Sequence, residues 1–229
     1  MELNLKKEVN TYLFVLFKLM GGFFLASLGI VFMINANLGL SPWDVLHKGI
    51  TNVIPITMGQ ANIVVGVVVV IASVFLGVKI GIGTILNTIF IGVFIDLITM
   101  SKLIPVVHNL FIGIIMLIIG MLLLGLGTCI YLSCESGCGP RDGLMTALTK
   151  ITKKPVKVVR GSIEIGALIL GWILGGSVGL GTIITALGLG YFVQMWCKVL
   201  KINIADLKHK SIIETLNFKE ELRLLKLLF

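Results

Sequence analysis

Two short motifs hold side chains that are suited to binding chemistry. Ser41-Pro42-Trp43-Asp44 and Gly139-Pro140-Arg141-Asp142 each place a carboxylate two residues after a proline, and they lie 98 residues apart. Proline fits the first position of a helix because its missing N–H has no helical partner there, and Ser41 with Asp44 matches a capping box. Each motif therefore predicts a helix start, and each carboxylate is a candidate ligand for a solute or a coupling ion.

Other ionisable and polar side chains lie near these motifs in the sequence. Arg160 and Glu164 are four residues apart, so they share one helix face, and Glu164 lies about 6 Å further along the axis. Glu164 is the residue expected to titrate or to bind a cation. The candidate site for substrate or ion binding comprises Trp43, Asp44, His47, Asn62, Glu135, Arg141, Asp142, Arg160 and Glu164.

Several of these residues also have a purely structural interpretation. Asp44 and Asp142 would stabilise the free N–H groups of a first helical turn without any ligand. Trp43 suits an anchor at the membrane interface, and His47 suits a plain polar contact. Glu164 would also form a structural ion pair with an arginine. The sequence leaves both sets of interpretations open.

The composition is that of an integral membrane protein. Of 229 residues, 57% are hydrophobic and only 13% are charged, and the mean hydropathy is +1.07. A spanning helix needs about 20 mostly apolar residues. Six segments come close to this requirement: 19–38, 60–77, 83–100, 109–133, 161–178 and 180–197. The helix that starts at Pro42 cannot pass Pro55 and is too short and polar to span, so a half-helix is predicted there.

An internal repeat relates the two motifs. A shift of 98 residues aligns 22–100 with 120–198 without a gap, and Gly29, Gly39 and Gly77 fall on Gly127, Gly137 and Gly175. Three spans per copy is an odd number, so the second copy is expected to be inverted. The predicted fold is an all-α transmembrane bundle of two inverted repeats, each with three spans and one half-helix. Eight spans in parallel repeats are the alternative.

The basic residues set the expected orientation. The net charge is +8, but the lysines cluster at the membrane edges, which argues against a nucleic-acid partner. By the positive-inside rule both termini are cytoplasmic. The expected organisation is a cytoplasmic leader at 1–18, repeats at 19–103 and 104–200, and a cytoplasmic amphipathic helix at 201–229.

Neither a redox framework nor an enzyme signature is present. Cys129, Cys134, Cys138 and Cys197 match no disulfide framework or zinc motif, so they are expected as small residues at helix contacts, with a thiol role for Cys134 and Cys138 as the alternative. No hydrolase, phosphate-loop or dinucleotide motif occurs. We expect no catalytic activity, no cofactor and no metal.

The motifs resemble those of a known bacterial family, YczE/YyaS/YitT, and are most similar to its YczE-like branch. The resemblance covers roughly 20–198 and depends on Gly39 to His47, Gly81 to Thr84, Gly139 to Met145, and Arg160 to Glu164 followed by Gly171-Trp172. It implies an integral protein of the bacterial inner membrane.

The expected function is secondary transport or export of a small solute, coupled to protons or another ion. A channel-like facilitator with two re-entrant half-helices and a non-transporting membrane subunit or adaptor are the alternatives. The expected partners are membrane lipids and a small-molecule solute, with a second copy of the chain or another membrane protein as a further possibility.

Overall fold

The computed structural model describes residues 2–202, with side chains from residue 11 onward. Within this range the fold is entirely helical, as predicted, and contains no strand. The predicted C-terminal helix lies almost wholly outside the described residues. The helices are α1 (Glu2–Asn35), α2 (Pro42–Val53), α3 (Met58–Phe75), α4 (Ile82–Ser101), α5 (Leu110–Leu132), α6 (Pro140–Thr152), α7 (Val156–Ile173) and α8 (Leu180–Val199).

Five described helices are long and apolar enough to cross a membrane, which confirms the membrane class. They are Thr11–Asn35 within α1, Met58–Phe75, Ile82–Ser101, Leu110–Leu132 and Leu180–Val199. The remaining predicted segment, 161–178, falls on α7 and is not among them. α7 starts earlier than predicted, at Val156, and therefore also carries Lys157 beside Arg160 and Glu164. The predicted leader at 1–18 is likewise continuous with the first span, because α1 begins at Glu2.

α2 and α6 begin at the two proline motifs. They have 12 and 13 residues, which at 1.5 Å per residue gives about 20 Å against an apolar bilayer core of about 30 Å. α2 ends at Val53, before Pro55, as predicted. The capping-box prediction is wrong in detail: Ser41 does not cap a backbone N–H, because its hydroxyl donates to the Asp44 carboxylate instead.

Glycines set the contact between α1 and α5. A Cβ atom at Gly29 would stand 2.5 Å from the carbonyl oxygen of Gly120, and one at Gly127 would stand 2.5 Å from that of Gly22. The absence of side chains at these positions lets the two backbones touch. Gly22 of α1 meets Gly127 of α5, whereas Gly29, further along α1, meets Gly120, which lies earlier on α5. The two helices therefore run antiparallel.

Contacts between the two halves of the chain are reciprocal. The N–H of Gly181 donates to Leu38 O at 2.7 Å, and the N–H of Gly83 donates to Ser136 O at 2.7 Å. These two bonds join equivalent positions of the 98-residue repeat. The helix pairs between the halves follow the same rule, since α2 packs on α7 and α3 on α6. Within the halves, α1 packs on α4 and α5 packs on α8.

Two of the four cysteines form a disulfide, which corrects the expectation of simple packing residues. Cys129 on α5 and Cys197 on α8 are paired with Cα atoms 5.8 Å apart. Cys134 and Cys138, in the turn before α6, are thiols. Burial raises the pKa of the Cys138 thiol to about 11, and Asp142 adds to this rise. A reactive thiolate is therefore disfavoured at Cys138.

Candidate functional site

A cavity of about 190 Å³ lies between the starts of α2 and α6. Residues from all eight described helices line it, including Pro42 and Pro140 at the two helix starts. Ala26 of α1 and Leu124 of α5 also line it. Because Ala26 lies between Gly22 and Gly29, and Leu124 lies at the equivalent position of α5, the cavity sits at the middle of the α1–α5 contact.

The cavity wall brings together most of the residues that the sequence suggested. The lining includes Trp43, Asp44, His47, Asn62, Arg141, Asp142, Arg160 and Glu164. Glu135 is the exception. It lies in the turn before α6 with a φ of 51°, and the equivalent Asn37 has a φ of 53°. Both residues therefore form turns that lead towards the short helices.

Asp44 is held by the first turns of its own helix. Its exposed fraction is 3% and that of His47 is 1%. The Ser41 hydroxyl donates to one carboxylate oxygen, and the other lies 3.4 Å from His47 Nδ1. That contact does not meet the geometry of a hydrogen bond, and His47 Nδ1 has no hydrogen-bond partner among the described residues. The buried imidazole nitrogen therefore contacts the Asp44 carboxylate without a well-aligned hydrogen bond.

Arg141 is oriented by an aromatic ring from the other half of the chain. Its guanidinium carbon lies 4.7 Å from the centroid of the Trp43 ring, a distance typical of a cation–π contact. Trp43 and Arg141 occupy equivalent positions of the repeat, so the two motifs meet across the cavity. The contact holds the guanidinium beside the start of α2 without using its N–H groups as hydrogen-bond donors.

Arg160 and Glu164 form the predicted pair on one face of α7. Arg160 Nε donates to Glu164 Oε1 at 3.0 Å. The two side chains are 51% and 25% exposed, respectively. Both charges therefore remain accessible at the edge of the cavity.

A further cluster of polar side chains surrounds Gly139, and sequence reasoning missed most of it. A Cβ atom at Gly139 would stand 3.4 Å from Asp142 Oδ2, 3.4 Å from Tyr131 Oη and 3.9 Å from Asn87 Oδ1. Asn87 is buried, with its Nδ2 lacking a partner among the described residues. Its position within an apolar span was a usable signal. Tyr131 at the end of α5 offered no such signal.

The charges of the lining do not cancel. The described wall holds three carboxylates and two guanidiniums. The carboxylates belong to Asp44, Asp142 and Glu164, and the guanidiniums belong to Arg141 and Arg160. A site of this kind can bind a small polar molecule by charge and hydrogen bonds, and the excess carboxylate favours an accompanying proton or cation.

Comparisons with known proteins identify the family. The family of unknown function DUF6198 matches residues 13–198. A Haemophilus influenzae protein is 37% identical over 177 residues, which covers 77% of this chain and 78% of that protein. The Bacillus subtilis membrane protein YczE is 35% identical over 158 residues, covering 69% of this chain and 73% of YczE. Bacillus subtilis YyaS is 31% identical over 166 residues, covering 72% of this chain and 83% of YyaS.

No solved structure matches the chain significantly. The sequence motifs and these relatives agree, and the resemblance to YczE and YyaS is confirmed. The chain belongs to DUF6198, a family of unknown function.

Proposed function

We propose that this protein is a secondary transporter of a small polar or amphipathic solute in the bacterial inner membrane. The observation that carries the proposal is the cavity at the middle of the α1–α5 contact. It holds five charged side chains besides His47, between the starts of two helices too short to span. Charged groups at the centre of an apolar bundle are costly and are typically retained for solute or ion binding. The proposal includes no chemical conversion of the solute.

The repeat architecture that we propose is inverted. The antiparallel packing of α1 on α5 supports it, because parallel repeats would require these equivalent helices to run in the same direction. The reciprocal bonds of Gly181 and Gly83 support a two-fold relation between the halves. α7 then serves as the sixth span. Its Arg160 and Glu164 line the cavity, while Ile165, Ile169 and Trp172 are exposed as a lipid-facing surface would be.

The proposed orientation has both termini in the cytoplasm. Lys79, Lys150, Lys153 and Lys154 then lie on the cytoplasmic side, and Lys102 lies on the opposite side. This distribution follows the positive-inside rule.

The wall holds one carboxylate more than it holds guanidiniums. We assign proton or ion coupling to one of these carboxylates. Glu164 is the candidate, because its side chain is partly exposed and shares one hydrogen bond with Arg160. Protonation of Glu164 would release Arg160 and remove the excess negative charge. A proton gradient would in this way favour the conformation in which the solute-loaded cavity opens to one side of the membrane.

The test surveys many solutes at once, so the substrate need not be chosen in advance. Purified full-length protein is reconstituted into liposomes with an imposed pH gradient and incubated with ¹³C-labelled bacterial extract. Mass spectrometry of the lumen should show one solute class enriched above protein-free liposomes, and the enrichment should collapse with a protonophore. Lumen contents identical to those of protein-free liposomes, with the gradient in either direction, would contradict the proposal.

A channel-like facilitator is the second candidate, because two short helices start at one cavity, as in pores built from re-entrant helices. The two candidates differ in counterflow. A carrier loaded with unlabelled solute takes up labelled solute faster, whereas a pore shows no such acceleration.

A further inference from the structure

The cavity wall separates into a donor set and an oxygen set, and each set has a distinct ligand preference. Building on the proposed function, we propose that the solute is a small zwitterion, with a carboxylate bound at Arg141 and an ammonium group bound at the oxygens around Gly139.

The donor set is centred on Arg141. Its guanidinium carbon lies 4.7 Å from the centroid of the Trp43 ring, and such a cation–π contact does not use the N–H groups as hydrogen-bond donors. A planar guanidinium binds a carboxylate along its N–H edge through two parallel hydrogen bonds. Asn87 Nδ2 is a second donor, because this buried side chain lines the cavity and has no partner in the described part of the chain. A ligand carboxylate would accept hydrogen bonds from both.

The oxygen set lies next to it. Asp142 Oδ2, Tyr131 Oη and Asn87 Oδ1 all lie within 3.9 Å of the point where a Gly139 Cβ would stand. The three oxygens therefore converge on the face of Gly139 that has no side chain, and an ammonium group that approaches this face would donate to a carboxylate and to neutral oxygens at once. Arg141 and Asp142 are adjacent in sequence, so the two subsites are neighbours. A ligand with both charges close together matches this arrangement.

Size and charge favour a zwitterion over a simple ion. A cavity of about 150 Å³ holds benzene, with its six heavy atoms, so the 190 Å³ here suits a molecule of about six to ten heavy atoms. A simple anion would face the excess of carboxylates, and a simple cation would leave the N–H edge of Arg141 without a ligand acceptor. A zwitterion satisfies both sets and brings no net charge into the membrane interior.

Thermal unfolding of the detergent-purified full-length protein tests this inference with matched probes. The zwitterions are alanine, β-alanine and 4-aminobutyrate. Propionate and butyrate lack the ammonium group, and ethylamine and propylamine lack the carboxylate. At least one zwitterion should raise the midpoint by about 5 °C at a saturating concentration, whereas its single-charge analogues at that concentration should not. Arg141→Gln and Asp142→Asn should each abolish the shift, and Lys102→Gln, at the exposed end of α4, should retain it.

The outcomes separate this inference from the transport proposal. Stabilisation by a single-charge analogue equal to that by the zwitterion would overturn the inference, as would no shift with any of the three zwitterions. Retention of the full shift in folded Arg141→Gln, judged by gel filtration, would also overturn it. Uptake from labelled extract of a solute that is not zwitterionic would leave transport intact and refute the substrate class. Zwitterion-specific stabilisation without any uptake would support the site and refute transport.

Discussion

At the scale of single residues, the side chains of the cavity differ in how well their neighbours hold them. Asp44 has Ser41 as a donor within its own helix turn, and Arg141 has the Trp43 ring. These residues were predictable because charged groups beside apolar spans stand out in sequence. Asn87 and Tyr131 contribute only because α4 and α5 pack beside the start of α6, and local sequence does not determine that packing.

Filling the space at Gly139 should weaken solute binding. In Gly139→Ala the new methyl group would contact Asp142 and Tyr131 at 3.4 Å, which the fold tolerates but which removes room for a ligand group. We expect the apparent affinity for the transported solute to fall about tenfold or more, measured as the KM of uptake. Gly190→Ala is the matched control, since nothing lies within 4 Å of that position. Equal KM values in the two variants would refute a ligand at this point.

Removing the Glu164 charge should uncouple transport without unfolding the protein. Glutamine keeps the shape of Glu164 and a side-chain oxygen that can accept from Arg160, so Glu164→Gln should remain folded in gel filtration. Uptake driven by a pH gradient should be lost, while exchange of labelled for unlabelled solute continues. Glu135→Gln makes the same change outside the cavity wall and should remain coupled. Normal pH-driven uptake in Glu164→Gln would transfer the coupling role to another carboxylate.

At the scale of helices, hydropathy predicted five spans well because each is uniformly apolar. The boundaries of α1 and α7 were harder, since both helices extend into polar or charged sequence at their starts. The end of α2 was predictable from Pro55, whose ring cannot continue a helix. The pairing of Cys129 with Cys197 was not, because spacing alone does not report which helices are neighbours.

Equivalent glycines of the α1–α5 contact should be equally sensitive to substitution. Alanine at Gly29 would press on Gly120 and Leu124, and alanine at Gly127 would press on Gly22 and Ala26, each at 2.5 Å from backbone atoms. Overpacking of this kind costs about 1–3 kcal/mol, so both variants should show lower midpoints of thermal unfolding. Gly21 lies on the same helix as Gly29, but nothing lies within 4 Å of a Cβ atom placed there. Gly21→Ala should therefore match or exceed the wild-type midpoint. Unchanged midpoints in both contact variants would contradict the described packing.

At the scale of the whole molecule, the 98-residue repeat was recognisable in sequence, because glycines at close contacts keep their register. Whether the copies run parallel or inverted depends on whether the short helices cross, and helix length predicted inversion while the charge distribution barely separated the two arrangements. The antiparallel contact of α1 with α5 favours inversion. It also accounts for a cavity at the meeting point of two motifs that are distant in sequence.

Side-specific labelling distinguishes the two topologies. In a variant without the native cysteines, Lys102→Cys should react with an impermeant maleimide from outside the cell if the repeats are inverted, and only after permeabilisation if eight helices span. Lys153→Cys should be internal in both topologies, and Ser177→Cys should be external in both. Protection of Lys102→Cys in intact cells, alongside reactive Ser177→Cys, would exclude the six-span arrangement.

Counterflow tests the central claim of a carrier site between α2 and α6 most directly. Proteoliposomes are preloaded with unlabelled bacterial extract, and the initial uptake of ¹³C-labelled extract solutes is measured without an ion gradient. Preloading should accelerate uptake of one solute class in the wild type and in Glu164→Gln, and Asp142→Asn should lose the acceleration. Uptake that preloading does not change, or that Asp142→Asn leaves intact, would contradict a carrier mechanism at this cavity.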